Sequence, residues 1–488
     1  MKFDKLKINK NKLTALLLTV ILIVFQLIVI SIAKNIGYSS VDSAVIIVSW
    51  LSVISIIVEL GIWKKLTGEL FSPYGLFFIV LYIFTLGQTI GWTLGIDLGT
   101  RDWWNRIDHG MNHRLIFDGV IYSILSVSVF LFGSIFGEKI SSNYKKEYKG
   151  NSTATLSAFN KIGKVFLLIS IPAFILQTYY NFSTVISYGY ASIYTEQVGS
   201  TTFRTIVSIL SNFYQPSLLL LLISNRDKKN TRRIIILFML IDVLIDLFVG
   251  GRSGAVLTIL GILLAYHYFI KPINKKNMLY GAVGGYIGIA ILNCIATIRN
   301  IPNKSLSTFF TALGSSFSNV IGSFIGELGW NLSSICWTMN LVPSQYAFRH
   351  GKSYLASFLS WIPSSFFGGK GSHPTVIYAN LGDWLQRTLN MSYGPGYTMV
   401  AESYINFGWY GIIAMFVLGI IVAKFIAKIR KENSDDDILG ATFQIVFIMT
   451  IMKSLVRSSF STAFRIFFFN VLPLYILVSL ITNKKAKN

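Results

Sequence analysis

The sequence predicts an all-α fold: a polytopic helical membrane protein of about twelve transmembrane helices with both termini inside. Three observations predict it. The 488 residues are 53% hydrophobic and only 13% charged, about half the charged fraction of an ordinary soluble domain. Apolar runs long enough to cross a bilayer recur from end to end. Lys and Arg collect in alternate short loops, as the positive-inside rule requires.

The first run, 13-LTALLLTVILIVFQLIVISIA-33, is 21 residues long, and no small-residue cleavage site follows it. It reads as a retained span rather than a signal peptide. Further spans are expected at 41–63, 72–95, 115–137, 162–181, 203–223, 232–249, 253–270, 277–297, 404–427, 438–456 and 464–482. With the N-terminus inside, 28 of the 43 Lys and Arg residues fall in cytoplasmic segments, among them 226-RDKKNTRR-233 and 145-KKEYK-149. The net charge of +22 is thereby spent on orientation toward the lipid bilayer. Nucleic acid is not an expected partner, because no soluble domain is left to bind it. Two cysteines, Cys294 and Cys336, are too few for a disulfide framework or a metal site.

The whole chain is expected to form one integral membrane domain, with residues 298–403 as a single long extracytoplasmic loop. That loop is rich in Gly, Ser, Pro and aromatic residues, and 306–341 is apolar enough for a re-entrant or surface-lying helix. Loops of this length are functional or disordered, and the aromatic content argues against disorder. The chemistry is therefore expected on the outer face. No Walker A, HEXXH, CXXC or GXSXG pattern occurs, so neither ATP, nor a metal, nor a serine nucleophile is expected, and no cofactor.

Charged groups near hydrocarbon need a partner or a cavity. In 249-VGGRSGAV-256, glycines flank Arg252 at an outer helix junction, where a guanidinium suits a bidentate phosphate grip. Arg299, Arg349, Arg457 and Arg465 lie on the same side, an arrangement suited to an anion such as a diphosphate. Each is equally readable as a headgroup anchor. Glu327 in 322-GSFIGELGW-330 and Glu402 in 392-SYGPGYTMVAESYINFGWYGIIAMFVLG-419 are candidate bases for a hydroxyl, or structural partners of those arginines. His373 is an alternative base. The glycine turn before Glu402 also suits a helix N-terminus aimed at anionic oxygens. Asp383 beside Trp384 suits sugar hydroxyls, whereas Trp103, Trp104, Trp361, Trp384 and Trp409 mostly suit an interfacial belt. Asp242 and Asp246, four residues apart on one helix face, mark a cation or proton path or pair with an arginine such as Arg252.

Taken together, "VGGRSG", "GELGW", "FRHGKSY" and, most specifically, "GYTMVAESYINFGWYG" resemble the Wzy-type oligosaccharide repeat-unit polymerases of O-antigen and capsule synthesis. The resemblance covers about residues 230–420 by motif and the whole chain by architecture. The arginine–glycine spacing found in outer loops of some members does not follow Arg252, Arg299, Arg349 or Arg387, so no role is carried over through it.

The resemblance implies a metal-independent glycosyltransferase acting on undecaprenyl-diphosphate-linked oligosaccharide. Such an enzyme moves a glycan from one lipid carrier to the non-reducing end of another, beside a flippase and a chain-length regulator. On that reading Arg252 and Arg299 hold the diphosphate, Arg349 and Arg457 support them, and Glu402, Glu327 or His373 is the base. The alternatives are a flippase or ion-coupled transporter of the same lipid, expected to depend on Asp242 and Asp246 and to show internal symmetry, and an O-antigen ligase-type transferase.

Overall fold

A computed structural model of the chain describes residues 10–105, 110–137, 152–188, 202–249, 252–298, 305–361, 378–391, 394–427 and 437–487. Among these residues all regular structure is helical. Nine stretches are long and apolar enough to cross a membrane, by length and composition. The other three expected spans also fall on helices. Residues 232–249 carry two aspartates and two arginines, and 277–297 and 438–456 are shorter apolar stretches or broken ones.

The first bundle is α1 (Lys10–Ile36), α2 (Val41–Thr67), α3 (Pro73–Leu94) and α4 (His113–Gly137). Its ends are written locally. Ser40 and Ser72 cap α2 and α3 by accepting from Ser43 N and Gly75 N, and Pro73 opens α3 where its missing N–H costs nothing. Inside, Gln26 donates to Ser55 Oγ (2.8 Å) and Ser128 Oγ (2.7 Å), and Ser128 donates to Glu59. That network joins α1, α2 and α4, so the lone acid Glu59 is a structural group in a satisfied polar contact.

A second group contains α5 (Ser152–Tyr188), α6 (Thr202–Ser211), α7 (Tyr214–Ser224), α8 (Lys229–Val249), α9 (Arg252–Phe269) and α10 (Lys275–Ile298). The sixth expected span is broken between α6 and α7 at Asn212–Phe213.

The described residues of 298–403, expected to form one extracytoplasmic loop, are largely helical. They contain α11 (Leu306–Ser318), α12 (Val320–Leu328), α13 (Leu332–Leu341), α14 (Lys352–Leu359) and α15 (Leu381–Thr388), and α16 (Met399–Phe407) begins before they end. α12 and the 3-10 turn Gly329–Asn331 pack on α3, and α13 packs on α4. Trp330, Cys336 and Trp337 are buried there. The apolar stretch 306–341, expected to hold a re-entrant or surface-lying helix, is three short helices, and α14 and α15 are too short for a span-length hydropathy signal. Trp103, expected in a belt, is instead fully buried. Its ring lies 3.9 Å from that of Trp330 and edge-on to Trp337, and its Nε1 donates to Trp330 O. Trp409 and Trp361 remain substantially exposed.

The last group is α17 (Gly411–Ile426), α18 (Ile438–Thr450), α19 (Met452–Arg457), α20 (Phe460–Ile466), a π-helical turn at Phe467–Val471, and α21 (Leu472–Lys487). α17 lies along α4 for most of its length. α18 breaks into α19 at Ile451, and the π turn interrupts the final span.

Candidate functional site

Three features meet near the loop side of the bundle: an arginine cluster, a sealed carboxylate and a polar chamber.

The cluster forms around Glu327 at the end of α12. Arg252 opens α9 and grips the carboxylate with both terminal nitrogens, Nη1 to Oε2 at 2.6 Å and Nη2 to Oε1. This bidentate fork is the geometry a guanidinium favours. Arg101 and Arg457 lie within electrostatic range of the same carboxylate. Burial pushes the Glu327 carboxyl up, but the Arg252 hydrogen bonds and the charges of Arg252, Arg101 and Arg457 outweigh it and hold the group below the usual carboxylate range. Three guanidiniums thus face one carboxylate, leaving positive charge for an anion. Arg101 is positioned by Gln88 of α3, whose Nε2 donates to Arg101 O at 2.7 Å, and its guanidinium lies 4.9 Å from the Trp330 ring. Arg457 is held through its carbonyl, which accepts from Tyr397 N. Gly396 makes that approach possible. Its φ is +78°, and a Cβ there would lie 3.2 Å from Asn331 Oδ1 and 3.3 Å from Arg457 O. Asn331 Oδ1 is buried beside this turn with no hydrogen-bond partner.

The sealed carboxylate is Glu402. It is fully buried, with Oε1 accepting from Ser353 Oγ (2.7 Å) and Oε2 accepting from Phe460 N (2.7 Å). Its neighbours belong to "FRHGKSY" and "AESYINFG", and the two strings bond to one another. Arg349 N donates to Ile405 O, His350 N to Asn406 O, and Gly351 N to Asn406 Oδ1, while Asn406 Nδ2 donates to Ser353 Oγ. Arg349 turns inward, donating from Nη1 to Tyr378 O (2.7 Å) with its guanidinium 5.0 Å from the Trp384 ring. Burial pulls its pKa below the ordinary value, and the nearby Tyr397, Glu402 and Tyr378 offset part of that. The N-terminus of α16 is capped internally by Thr398, which accepts from Ala401 N.

The chamber lies between α5, α6, α8, α20 and the π turn. A cavity of about 550 Å³ opens toward the loops, where Arg204, Arg465, Tyr180, Ser360 and Asn380 line it. A deeper cavity of about 310 Å³ is lined by Asp242, Asp246, Gln215, Tyr214, Gly254 and Thr258. The two share Gln177, Asn181, Asn212 and Asn470 as walls. Backbone interruptions converge here. Asn212 sits in the break between α6 and α7, Asn470 in the π turn, and Gly254 in the first turn of α9. Irregular backbone at membrane depth is tolerated where it lines a cavity or is buried in protein, and π turns recur at functional sites.

Of the residues singled out in the sequence, the structure brings Arg252, Glu327 and Arg457 together, and separately brings Arg349 to Glu402. Arg299 and His373 lie outside the described residues. Arg252 does not pair with Asp242 or Asp246. It is taken by Glu327, and Asp242 instead accepts from Gln215 Nε2. Asp383 is an exposed group in the first turn of α15, bonded to Asn380. Arg101 and Arg204 escaped sequence reasoning. Arg101 carried a signal, a glycine two residues before it at a helix junction, of the kind that marked Arg252.

Comparison with characterised proteins finds no curated protein and no solved structure that matches this chain. The model of one family, described as O-antigen polysaccharide polymerase Wzy, matches residues 15–487. With nearly the whole chain matched and apolar helices recurring along it, this multi-pass protein of the cytoplasmic membrane belongs to the O-antigen polysaccharide polymerase Wzy family.

Proposed function

We propose that this polymerase joins undecaprenyl-diphosphate-linked repeat units at the outer face of the membrane. In this reading the glycan leaves one lipid diphosphate and is received by a hydroxyl at the non-reducing end of the next unit, with no metal. The N-in, C-in topology belongs to the same proposal, as do a flippase that supplies the substrate and a regulator of chain length. The observation that carries the reading is the convergence of Arg101, Arg252 and Arg457 on a single carboxylate, Glu327. A departing diphosphate gains negative charge on its oxygens, and fixed guanidiniums stabilise it most where charge grows. Glu327 holds Arg252 ready and is displaced or shared when the diphosphate arrives.

Glu402 and Arg349 serve this site from behind. Both oxygens of Glu402 are bonded and shielded, so the counter-ion and anchoring role fits it better than that of base. It ties α14, α16 and α20 together. Arg349, directed at Tyr378 and Trp384, supports the same scaffold rather than the diphosphate.

The test is deletion in the native host followed by gel analysis of surface polysaccharide, with purified protein and isolated lipid-linked repeat unit beside it. A polymerase leaves single units in the deletion strain and builds a ladder in vitro. Loss of the single units as well would point to the flippase. Normal ladders from an Arg252→Ala variant expressed at wild-type level would remove the diphosphate assignment.

A further inference from the structure

We infer that the polar chamber receives the non-reducing end of the acceptor glycan and that Asp246 takes the proton from its attacking hydroxyl. The inference rests on the polymerase reading above, and it assigns the acceptor half of the site and a base.

The chamber has the chemistry of a sugar site. Its shared walls are amides, Gln177, Asn181, Asn212 and Asn470, which can donate and accept at once, as hydroxyl-rich ligands need. At its deep end two acceptors are left without partners. Gln215 spends its Nε2 on Asp242, and its buried Oε1 has no partner. Among the described residues none hydrogen-bonds Asp246, although its carboxylate lines the cavity. Unpartnered acceptors around a cavity call for a ligand that brings O–H or N–H groups.

Asp246 is also the carboxylate adjacent to the arginine cluster. A side chain at Gly254 would run into it, and Gly254 lies two residues after Arg252 on the same helix. Lys453 lies within electrostatic range of both Asp246 and Arg457. Asp242 differs, being buried and tied to Gln215. Glu327 is occupied by Arg252 and Glu402 is sealed, which leaves Asp246 as the carboxylate that a bound hydroxyl can reach.

The step balances as follows. The acceptor hydroxyl oxygen forms a bond to the anomeric carbon of the donor glycan. The bond from that carbon to the diphosphate oxygen breaks, and its electron pair leaves with the lipid diphosphate toward Arg101, Arg252 and Arg457. The hydroxyl proton passes to an Asp246 carboxylate oxygen and is released to water as product leaves.

The test uses full-length protein in nanodiscs, with lipid-linked repeat unit isolated from host cells lacking this protein. Undecaprenyl diphosphate is the separate probe of the donor cluster, read as thermal stabilisation. Asp246→Asn should lose about 100-fold or more in elongation, the scale of general-base loss, while undecaprenyl diphosphate still stabilises it as it does the wild type. Formate should restore elongation to Asp246→Ala, which a purely structural aspartate would not permit. Asn212→Trp, which fills the chamber from its wall, should abolish elongation and leave the undecaprenyl diphosphate response intact. Near-wild-type elongation by Asp246→Asn removes the base assignment, and near-wild-type elongation by Asn212→Trp removes the acceptor site whatever Asp246 does. If the wild type itself fails to elongate the isolated unit, the polymerase reading falls and the acceptor site with it. Elongation by the wild type alongside unaffected variants sinks only the present inference.

Discussion

Glu402 and Asp246 are both carboxylates close to the loop side of a membrane bundle, each with a cation within electrostatic range, yet their hydrogen-bonding states are opposite. Glu402 has no exposure, a donor on each oxygen, and a cation, Arg349, within electrostatic range. Asp246 lines a cavity and has no hydrogen-bonding partner among the described residues. A buried group whose lone pairs are filled resists any new ligand, because binding would first have to undo good hydrogen bonds. A group that faces a cavity with acceptors to spare is the cheaper place to bring a hydroxyl. The difference teaches that proximity of a carboxylate to a glycine- and aromatic-rich motif says less about chemistry than the state of its hydrogen bonds.

The sharpest way to break this comparison is to cross it. Asp246→Asn should cut elongation by about 10²- to 10⁴-fold with little change in melting temperature. Glu402→Gln should do the reverse, since its amide presents donors where Ser353 or Phe460 already donates. That mismatch should cost about 1–3 kcal/mol of stability, read as a lowered melting temperature in detergent. Elongation per folded Glu402→Gln molecule should stay within about threefold of wild type, under 1 kcal/mol of barrier. If Glu402→Gln folds normally and is dead, the assignments are exchanged.

Next in size is the arginine cluster. Arg252→Ala should reduce elongation by about 100- to 1000-fold, as loss of one preorganised donor to a developing oxyanion does, and weaken stabilisation by undecaprenyl diphosphate. Arg349→Ala should lower the melting temperature and leave that stabilisation in place. A reversed pattern would move the diphosphate toward Arg349.

Smaller is the effect of Gly408→Ala. Gly408 has φ +58°, and a Cβ there would lie 3.0 Å from the Phe348 ring. Forcing an L-residue into this conformation should destabilise by about 1–3 kcal/mol, measured by thermal unfolding. Tolerance of alanine there would show that the contact between "FRHGKSY" and "NFGWYG" is looser than described.

Smallest is an acid effect at Glu327. Its folded pKa is depressed below the ordinary 4.5, so the Arg252 clamp contributes its stability above that value and loses it as pH falls through the lower, folded pKa. Wild type should therefore be more stable than Glu327→Gln at neutral pH, and the gap should close as the pH drops below that ordinary value. A gap that persists unchanged in strong acid would mean that the pair is not the source.

Much of this was readable from the chain. Apolar run lengths and the basic loops gave the helical membrane class, and glycines around Arg252 and the Gly-Pro-Gly turn before Glu402 marked places where backbone approaches a partner closely. The four strings resembling the polymerase family lie in the parts that prove to bond to one another. What a one-dimensional reading missed has a common cause. Helices α12 and α13 are shorter than a span, and their burial depends on α3 and α4, which precede them by more than a hundred residues.

By itself, the sequence determined that hydrocarbon is this protein's solvent, because span-length apolar runs have nowhere else to go. It also determined that charged groups near the helix ends would need a partner or a cavity. Tertiary structure alone decided which carboxylate meets which arginine. Arg252 takes Glu327, 75 residues away, rather than Asp246 on the preceding helix. Asp246 is left facing a chamber assembled from helices far apart in the chain. Pairing and exposure depend on distances between groups remote in the chain, and neither hydropathy nor spacing carries that information.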